Sequence, residues 1–464
     1  MSLIKSISGF RGTMGGQPGD NLTPLDAVKF TAAYTAFLQE CHPDVRPLKV
    51  VVGRDARVSG DMLNRVVCAT LMGMGVQVMD IGLSTTPTVE MEVIHSDANG
   101  GIILTASHNP FNWNALKLLN DEGEFLNAAE GKRVLELAAA ENFDFVTTEN
   151  IGRYTYVEGA IERHIRAILD LDLVDVGAIR KADFKVAFDA VNSTGGLALP
   201  MLLEALGVKR VVKLNAEPTG VFAHNPEPLP EHLQDLCSLV RSEHADVGFV
   251  VDPDVDRLAL IQENGQPFVE EYTLVAVSDY ILQHTPGNTV SNLSSTMALQ
   301  EVTEKYGQQY AASAVGEVNV VARMKETRAV IGGEGNGGVI YPALHYGRDA
   351  LVGIALFLTH LAHSGKKCSE LRASYPEFVI SKNKYTLDST VDADELVQHI
   401  KQKYASQPII DVDGVRINFD RQWVHLRKSN TEPILRIYAE GTTEEAAVRL
   451  AQQIIEDMKT YLKK

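Results

Sequence analysis

The sequence predicts an α/β protein: three related α/β units followed by a C-terminal α+β segment. Three observations point there. Short β-rich runs end in Gly, Asp or Ser and lead into helical stretches at LKVVVGRD (48–55), GGIILTASHNP (100–110), FKVAFDAVNSTGG (184–196) and ADVGFVVDPD (245–254), an alternation that argues for parallel layers. A strand closed by a polar turn and a helix begins anew near residues 48, 184 and 288, the last reading NTVSNLSSTMALQ; this is a repeat of pattern and not of residues. After SGKKCSELRASYPEF (364–378) the character becomes shorter and mixed. The expected domains are therefore 1–152, 153–257, 258–372 and 373–464.

Local signals support the elements in order. Thr23-Pro24 with Asp26 opens a helix, and Thr442 with Glu445 makes a capping-box pattern before the last one. In that last helix Val448, Ala451, Ile455, Met458 and Leu462 recur at helical spacing and predict the core-facing stripe. Pro226, Pro228 and Pro230 mark a loop inside the second unit.

Composition narrows the function. The chain has 464 residues, 45% of them hydrophobic and 22% charged, which excludes disorder, collagen and a disulfide miniprotein. Lys and Arg total 43 against 60 Asp and Glu, a formal net charge of -17, the wrong sign for a general nucleic-acid binder. Any phosphate must then meet a local cluster of Arg, Lys, backbone N–H or metal. Cys41, Cys68, Cys237 and Cys368 lie far apart without zinc or disulfide spacing. The opening MSLIKSISGFRG lacks a signal-peptide core, and no membrane-length apolar run follows. The expectation is a cytoplasmic protein with a small-molecule partner, no nucleic acid and no membrane.

Four clusters carry candidate chemistry. In Thr105-Ala106-Ser107-His108-Asn109-Pro110 a serine sits on a strand-end turn where a reagent reaches it; an ordinary polar turn reads the same way. No G-x-S-x-G elbow is present, so acyl transfer has little support. Lys117, in NWNALKLLN, either snorkels to water or, beside Arg or a metal ion, falls in pKa and acts as general base or acid. Asp252-Pro253-Asp254-Val255-Asp256-Arg257 places carboxylates at alternate positions, which repel unless a cation lies between them. Mg²⁺ fits that need. An EF-hand does not, because Arg257 occupies the position that requires Gly and the flanks VGFVV and LALI read as strands.

The run Gly332-Gly333-Glu334-Gly335-Asn336-Gly337-Gly338 contains G-x-G-x-x-G, but VIYPALHYG does not open a helix and no acidic ribose ligand lies between Asp349 and Glu370. Glu334 and Asn336 facing sugar hydroxyls, or a structural turn, are the two readings left. Arg427-Lys428-Ser429-Asn430-Thr431-Glu432-Pro433, with Arg436 beyond, offers guanidinium, hydroxyls and amide for a phosphate monoester, or is a solvated turn. An ATP-type P-loop motif is absent.

In order and spacing, these clusters resemble the α-D-phosphohexomutase family across essentially the whole chain. TASHNP resembles its phosphoserine loop, DPDVDR its magnesium loop, GEGNGG its sugar loop and RKSNTEP its phosphate-binding loop. GFRG (9–12), GRD (53–55) and FAHNPEPLP (222–230) agree as well. The resemblance implies three related α/β domains and a fourth of different type around one cleft. It also implies catalytic Ser107, Lys117, His108 and Arg11, and Mg²⁺ held by Asp252, Asp254 and Asp256 with a phosphoserine oxygen of Ser107. The substrate would be bound by Arg257, Glu334, Asn336, Arg427, Ser429, Asn430 and Thr431. The implied reaction moves phosphate between the 1 and 6 positions of a hexose through a bound 1,6-bisphosphate, with Lys117 passing the proton. Glu334-Gly335-Asn336-Gly337-Gly338 and Glu317 in VGEVNV look most like the glucosamine-directed branch, whereas SNTEP replaces the SGTEP usual there. Glucose- or mannose-directed mutases, a non-catalytic sugar-phosphate-binding relative and a phosphatase are the other expectations.

Overall fold

In a computed structural model, residues 2–6, 9–387, 391–428 and 434–462 are described. The chain divides into two compact units, residues 1–273 with 337–369, and residues 274–336 with 370–464.

The first unit holds two sheets. In the larger, the strand order is Ile4–Ser6, Gly9–Thr13, Trp113–Leu119, Gly100–Leu104, Lys49–Arg54, Gln77–Leu83, Tyr154–Tyr156. The Val-rich strand Lys49–Arg54 runs parallel to both neighbours, as a strand covered by helices on its two faces should. Gly100–Leu104, however, leads through the TASHNP turn into an antiparallel partner, Trp113–Leu119, and not into a helix. The same happens in the second sheet, where Val247–Val251 lies parallel to Lys185–Asp189 but is followed by the antiparallel Leu258–Gln262. Of the four runs expected to lead into helices, these two lead into strands instead. Hairpin-like returns after these two strands hold the chemistry-bearing loops at both ends, which a single strand-to-helix joint would not.

Helices seal the sheets. Pro24–Cys41 starts with the expected capping box, Thr23 and Asp26 bonding each other's backbone, and buries Phe30 stacked on Phe10 with ring centroids 3.7 Å apart. Its Tyr34 hydroxyl donates to the Leu119 carbonyl, and Gly100 is required beneath it because a Cβ there would strike that hydroxyl. Ala350–Ser364 is apolar almost all round and buried from Ala350 through Leu361, as a core helix must be. Phe357 meets Phe249 and Phe268 edge-on. Among the described residues no helix is long and apolar enough to cross a membrane.

The second unit contains parallel strands Tyr310–Ser313, Thr289–Asn292 and Ile331–Glu334, and an antiparallel sheet ordered Val379–Thr386, Ile434–Gly441, Gln422–Lys428, Val415–Phe419, Ile409–Ile410. The change of character after residue 378 is thus a change from parallel to antiparallel pairing. The last helix, Glu444–Leu462, packs on that sheet, but two details differ from expectation. Thr443, not Thr442, accepts from the Ala446 amide as the cap. The inward face is Ala447, Leu450, Ala451, Ile454 and Met458, while Val448 and Ile455 are half-buried and Leu462 is exposed. The buried stripe lies a fraction of a turn from the expected one, because Leu450 and Ile454 fit the helical spacing equally well.

One buried acid in this unit is out of balance. Glu440 accepts from the Met297 amide at 2.9 Å and the Trp423 indole N–H at 2.6 Å, yet burial pushes its carboxyl from 4.5 to about 7. An acid raised by folding stabilises the fold while protonated, so stability is lost as pH climbs from about 4.5 through about 7, on the order of 3 kcal/mol. Melting curves of the wild-type chain and Glu440→Gln at pH 5 and pH 8 should therefore differ. The variant should gain on the wild type at pH 8; an equal gap at both values would remove Glu440 as the cause.

Candidate active site

Both loops expected to handle the phosphoryl group lie in the first unit and meet. Ser107 Oγ donates to Asp252 Oδ2 at 2.7 Å. Ser107 carries a positive φ of 49°, an unusual state for a residue with a Cβ. What holds it there is Arg57, a fully buried guanidinium that sequence reasoning did not single out. Arg57 pairs with Asp55 at 2.9 Å and donates to the carbonyls of Ser107, Asn109, Pro110 and Trp113. Thr105 Oγ1 donates to Asp55 Oδ2 at 2.7 Å and accepts from the Ser107 amide at 3.0 Å. The loop is thus clamped from behind by its backbone, leaving the serine oxygen facing the aspartates. The GRD motif at 53–55 pointed toward this clamp without naming Arg57.

Asp252, Asp254 and Asp256 are fully buried, and ligand oxygens of the three lie within 4.8 Å of one another. Val255 between them takes φ 63°, turning the alternating chain so that all three converge. Pro253's carbonyl accepts from Ser193 and Thr194, and Thr86 donates to both the backbone and Oδ2 of Asp254. Asp252 Oδ1 accepts from the amides of Asp256 and Arg257. Burial first, then Asp256 and Asp254, push the Asp252 carboxyl well above its ordinary value. Asp254 Oδ1 and Asp256 Oδ1 are buried without a hydrogen-bond partner. An all-oxygen set with unsatisfied, mutually repelling carboxylates fits a hard divalent cation such as Mg²⁺.

Cations ring these acids. Lys117 Nζ is 2.7 Å from Asp254 Oδ2 and 3.8 Å from Asp256 Oδ2. Burial works against its charge, but the two carboxylates outweigh it and raise its pKa, opposite in direction to the fall expected beside Arg or metal. Arg348, also missed, donates to Asp256 Oδ2 at 2.6 Å. Arg257 stands 4.0 Å from Asp252, 3.9 Å from Asp256 and 3.6 Å from Glu227, and its Nε is buried without a hydrogen-bond partner. His108 Nδ1 lies 3.4 Å from Ser107 Oγ. Arg257 first, then burial, Arg11 and Arg348 hold the His108 imidazole well below its ordinary value, so it is neutral. Arg11 is itself lowered by burial and Arg257. Cations that depress one another's charge beside a serine oxygen form an anion site.

The remaining sequence-derived residues belong to the second unit. Glu334 accepts from Asn292 Nδ2 at 2.8 Å and from the Gly316 amide at 3.1 Å, and Asn336 Nδ2 lies 3.4 Å from it. The strand–turn–strand course after Ile331 bears out the rejection of a dinucleotide loop. The preceding amide, Val315, donates to Asp413, which in turn pairs with Arg427 at 2.9 Å. Glu334 and Arg427 are therefore joined through two consecutive backbone amides, with Glu317 next in the chain and buried. Strand register sets Arg436 directly between Arg427 and Lys384 on one sheet face. Like charges so placed repel, and Arg436 Nε is buried without a hydrogen-bond partner, the arrangement a phosphate dianion would relieve. Ser429, Asn430 and Thr431 lie outside the described residues.

Comparison with known proteins gives the family. Four consecutive segments match the phosphoglucomutase/phosphomannomutase descriptions: alpha/beta/alpha domains I, II and III at residues 3–145, 162–265 and 270–378, and the C-terminal domain at 387–457. A phosphoglucomutase/phosphomannomutase of Thermococcus kodakarensis is 37% identical over 442 residues, 94% of this chain and 95% of that one. A probable phosphoglucosamine mutase of Methanopyrus kandleri is 32% identical over 456 residues, 96% of each chain. In fold, a phosphoglucomutase/phosphomannomutase family protein from Burkholderia thailandensis superposes with a TM-score of 0.84 at 24% identity, covering 99% of this chain and 98% of that one. With its serine and aspartate loops in contact and all four segments matched in order, the chain belongs to the phosphoglucomutase/phosphomannomutase family.

Proposed function

We propose that this chain interconverts hexose 6-phosphate and hexose 1-phosphate, with Ser107 as the phosphoryl carrier and glucosamine phosphate as the favoured substrate. The observation that carries the reading is the 2.7 Å contact between Ser107 Oγ and Asp252, beside Lys117, Arg257 and Arg348. The phosphoryl passes from Ser107 Oγ to a free sugar hydroxyl, so one P–O bond breaks as another forms and a bound 1,6-bisphosphate results. Return of the other phosphate to Ser107 completes the isomerisation. Arg11, Arg257 and neutral His108 orient the anion and offset its charge. A divalent ion held by Asp252, Asp254 and Asp256 would neutralise charge on the transferring group and, by taking up the carboxylates that keep Lys117 charged, leave its amine to burial, which favours the proton-accepting neutral form.

Support for the sugar comes from the second unit. Glu317 and Glu334 are both buried and linked at Gly316, and an ammonium at the sugar's second carbon is the substituent two carboxylates would welcome. The name of the Methanopyrus relative agrees; that of the Thermococcus relative favours glucose and mannose phosphates as the second reading. A small phosphosugar as partner, a bisphosphate activator and a cytoplasmic location complete the proposal. The four free cysteines are in keeping with a reducing compartment.

Three measurements bear on it. Ser107→Ala should lose at least about a thousandfold in turnover with its melting curve unchanged; near-normal turnover would take Ser107 out of the phosphoryl path. Removing divalent ions with chelator should silence the enzyme and added Mg²⁺ restore it, while full activity in chelated buffer would count against the aspartate site. In side-by-side assays glucosamine phosphate should have the highest kcat/KM, and Glu317→Gln should cut that value about tenfold without a like loss for glucose phosphate. A preference for glucose or mannose phosphate in the wild-type chain would favour the second reading.

A further inference from the structure

Away from Ser107 and the aspartates, the first unit buries a second charged cluster that phosphoryl transfer does not use. Glu90 lies on the helix Thr86–His95, His164 on the helix Ala160–Leu169, and His345 and Asp349 on the segment leading into Ala350–Ser364. None is more than 5% exposed.

Their donor atoms converge. His164 Nε2 is 2.9 Å and His345 Nε2 3.5 Å from the same oxygen, Asp349 Oδ2, and the three atoms lie within 4.8 Å of one another. Ligand atoms around a tetrahedral zinc ion, with bonds of about 2.0–2.1 Å, sit roughly 3.4 Å apart. Each side chain is also held from behind. His164 Nδ1 meets Thr88 Oγ1 at 3.0 Å, and His345 Nδ1 faces Glu90 Oε2 at 3.3 Å. Asp349 Oδ1 accepts from the amides of Leu351 and Val352. A partner on the far nitrogen is the usual support of a metal-bound imidazole. The segment comes so close to Glu90 that a Cβ at Gly347 would collide with its carboxylate.

Charge gives a second reason. Asp349 carries its charge into a fully buried position between two imidazoles, a costly state unless something cationic offsets it. A proton on an imidazole or a dication bound between the three side chains would do so. Two imidazoles and one carboxylate select zinc over magnesium.

We propose that His164, His345 and Asp349 hold a structural dication of the zinc class, distinct from the ion expected at Asp252, Asp254 and Asp256. The ion ties the helix of His164 to the segment of His345 and Asp349, and through His345 to the helix of Glu90; the last two reach the aspartate loop. Thr86, which donates to Asp254, opens the helix carrying Glu90; Arg348, which donates to Asp256, immediately precedes Asp349. It thereby braces the rear of the catalytic carboxylates, whichever hexose is the substrate.

The full-length chain, purified from zinc-supplemented medium and washed with chelator, should retain about one zinc per molecule. Chain produced with Co²⁺ in place of zinc should show the intense visible absorption of low-coordinate cobalt. That band should persist in Asp256→Asn, which disables only the other site, and vanish in His164→Ala. Thr88→Val keeps all three ligands and should weaken zinc binding about tenfold or more, so the proposal stays open to test even if His164→Ala fails to fold. A wild-type chain with no retained zinc and no cobalt band, or a band that survives His164→Ala, would overturn it and leave protonated imidazoles as the balance of charge.

Discussion

Mutual repulsion among three buried aspartates is the constraint on which the rest of the first unit depends. At 4 Å and an effective dielectric near 20, each pair of like charges costs about 4 kcal/mol. Asp252, Asp254 and Asp256 converge more tightly than their sequence spacing alone requires, because Val255 is turned into the left-handed region. Such a cluster persists only if the surroundings pull it together. Lys117 and Arg348 reach it from separate parts of the chain and Arg257 from the next residue, and Thr86, Ser193 and Thr194 fix the loop backbone.

The two units carry different halves of the chemistry. The first holds a strained serine clamped by Arg57 against that acidic cluster, where, on the proposed reading, a phosphoryl group would meet both a nucleophile and compensating charge. The second holds carboxylates linked through the Gly316 amide to a row of cations on an antiparallel sheet. On the proposed reading, nucleophilic transfer and recognition of sugar and distal phosphate would therefore be built on separate supports. That separation would let substrate preference change through residues such as Glu317 without disturbing the serine loop.

Much of this was legible in the sequence where a function occupies consecutive residues. TASHNP and DPDVDR each announce their chemistry within six positions, and the strand–turn pattern around them placed both at strand ends. Residues that act by reaching across the fold were not legible. Apart from Asp55 beside Arg57, the partners of Arg57 and Arg348 lie about fifty to ninety positions away, and one neighbouring acid does not distinguish a buried arginine from a surface one. The charge of Lys117 also escaped, since its sign of shift depends on which of carboxylate or cation stands nearest, a matter of packing. The antiparallel returns at Trp113 and Leu258 were obscured because a polar turn after a strand reads alike whether a helix or a strand follows.

The most direct measurement follows the phosphoryl group itself. Enzyme bearing radiolabelled phosphate on Ser107 would be mixed with unlabelled hexose monophosphate in the presence of Mg²⁺ and quenched at short times. Label should leave the protein and appear in hexose bisphosphate and monophosphate, with little as inorganic phosphate. Label that stays on the protein while isomer forms, or that departs only as inorganic phosphate, would contradict a carrier role for this serine.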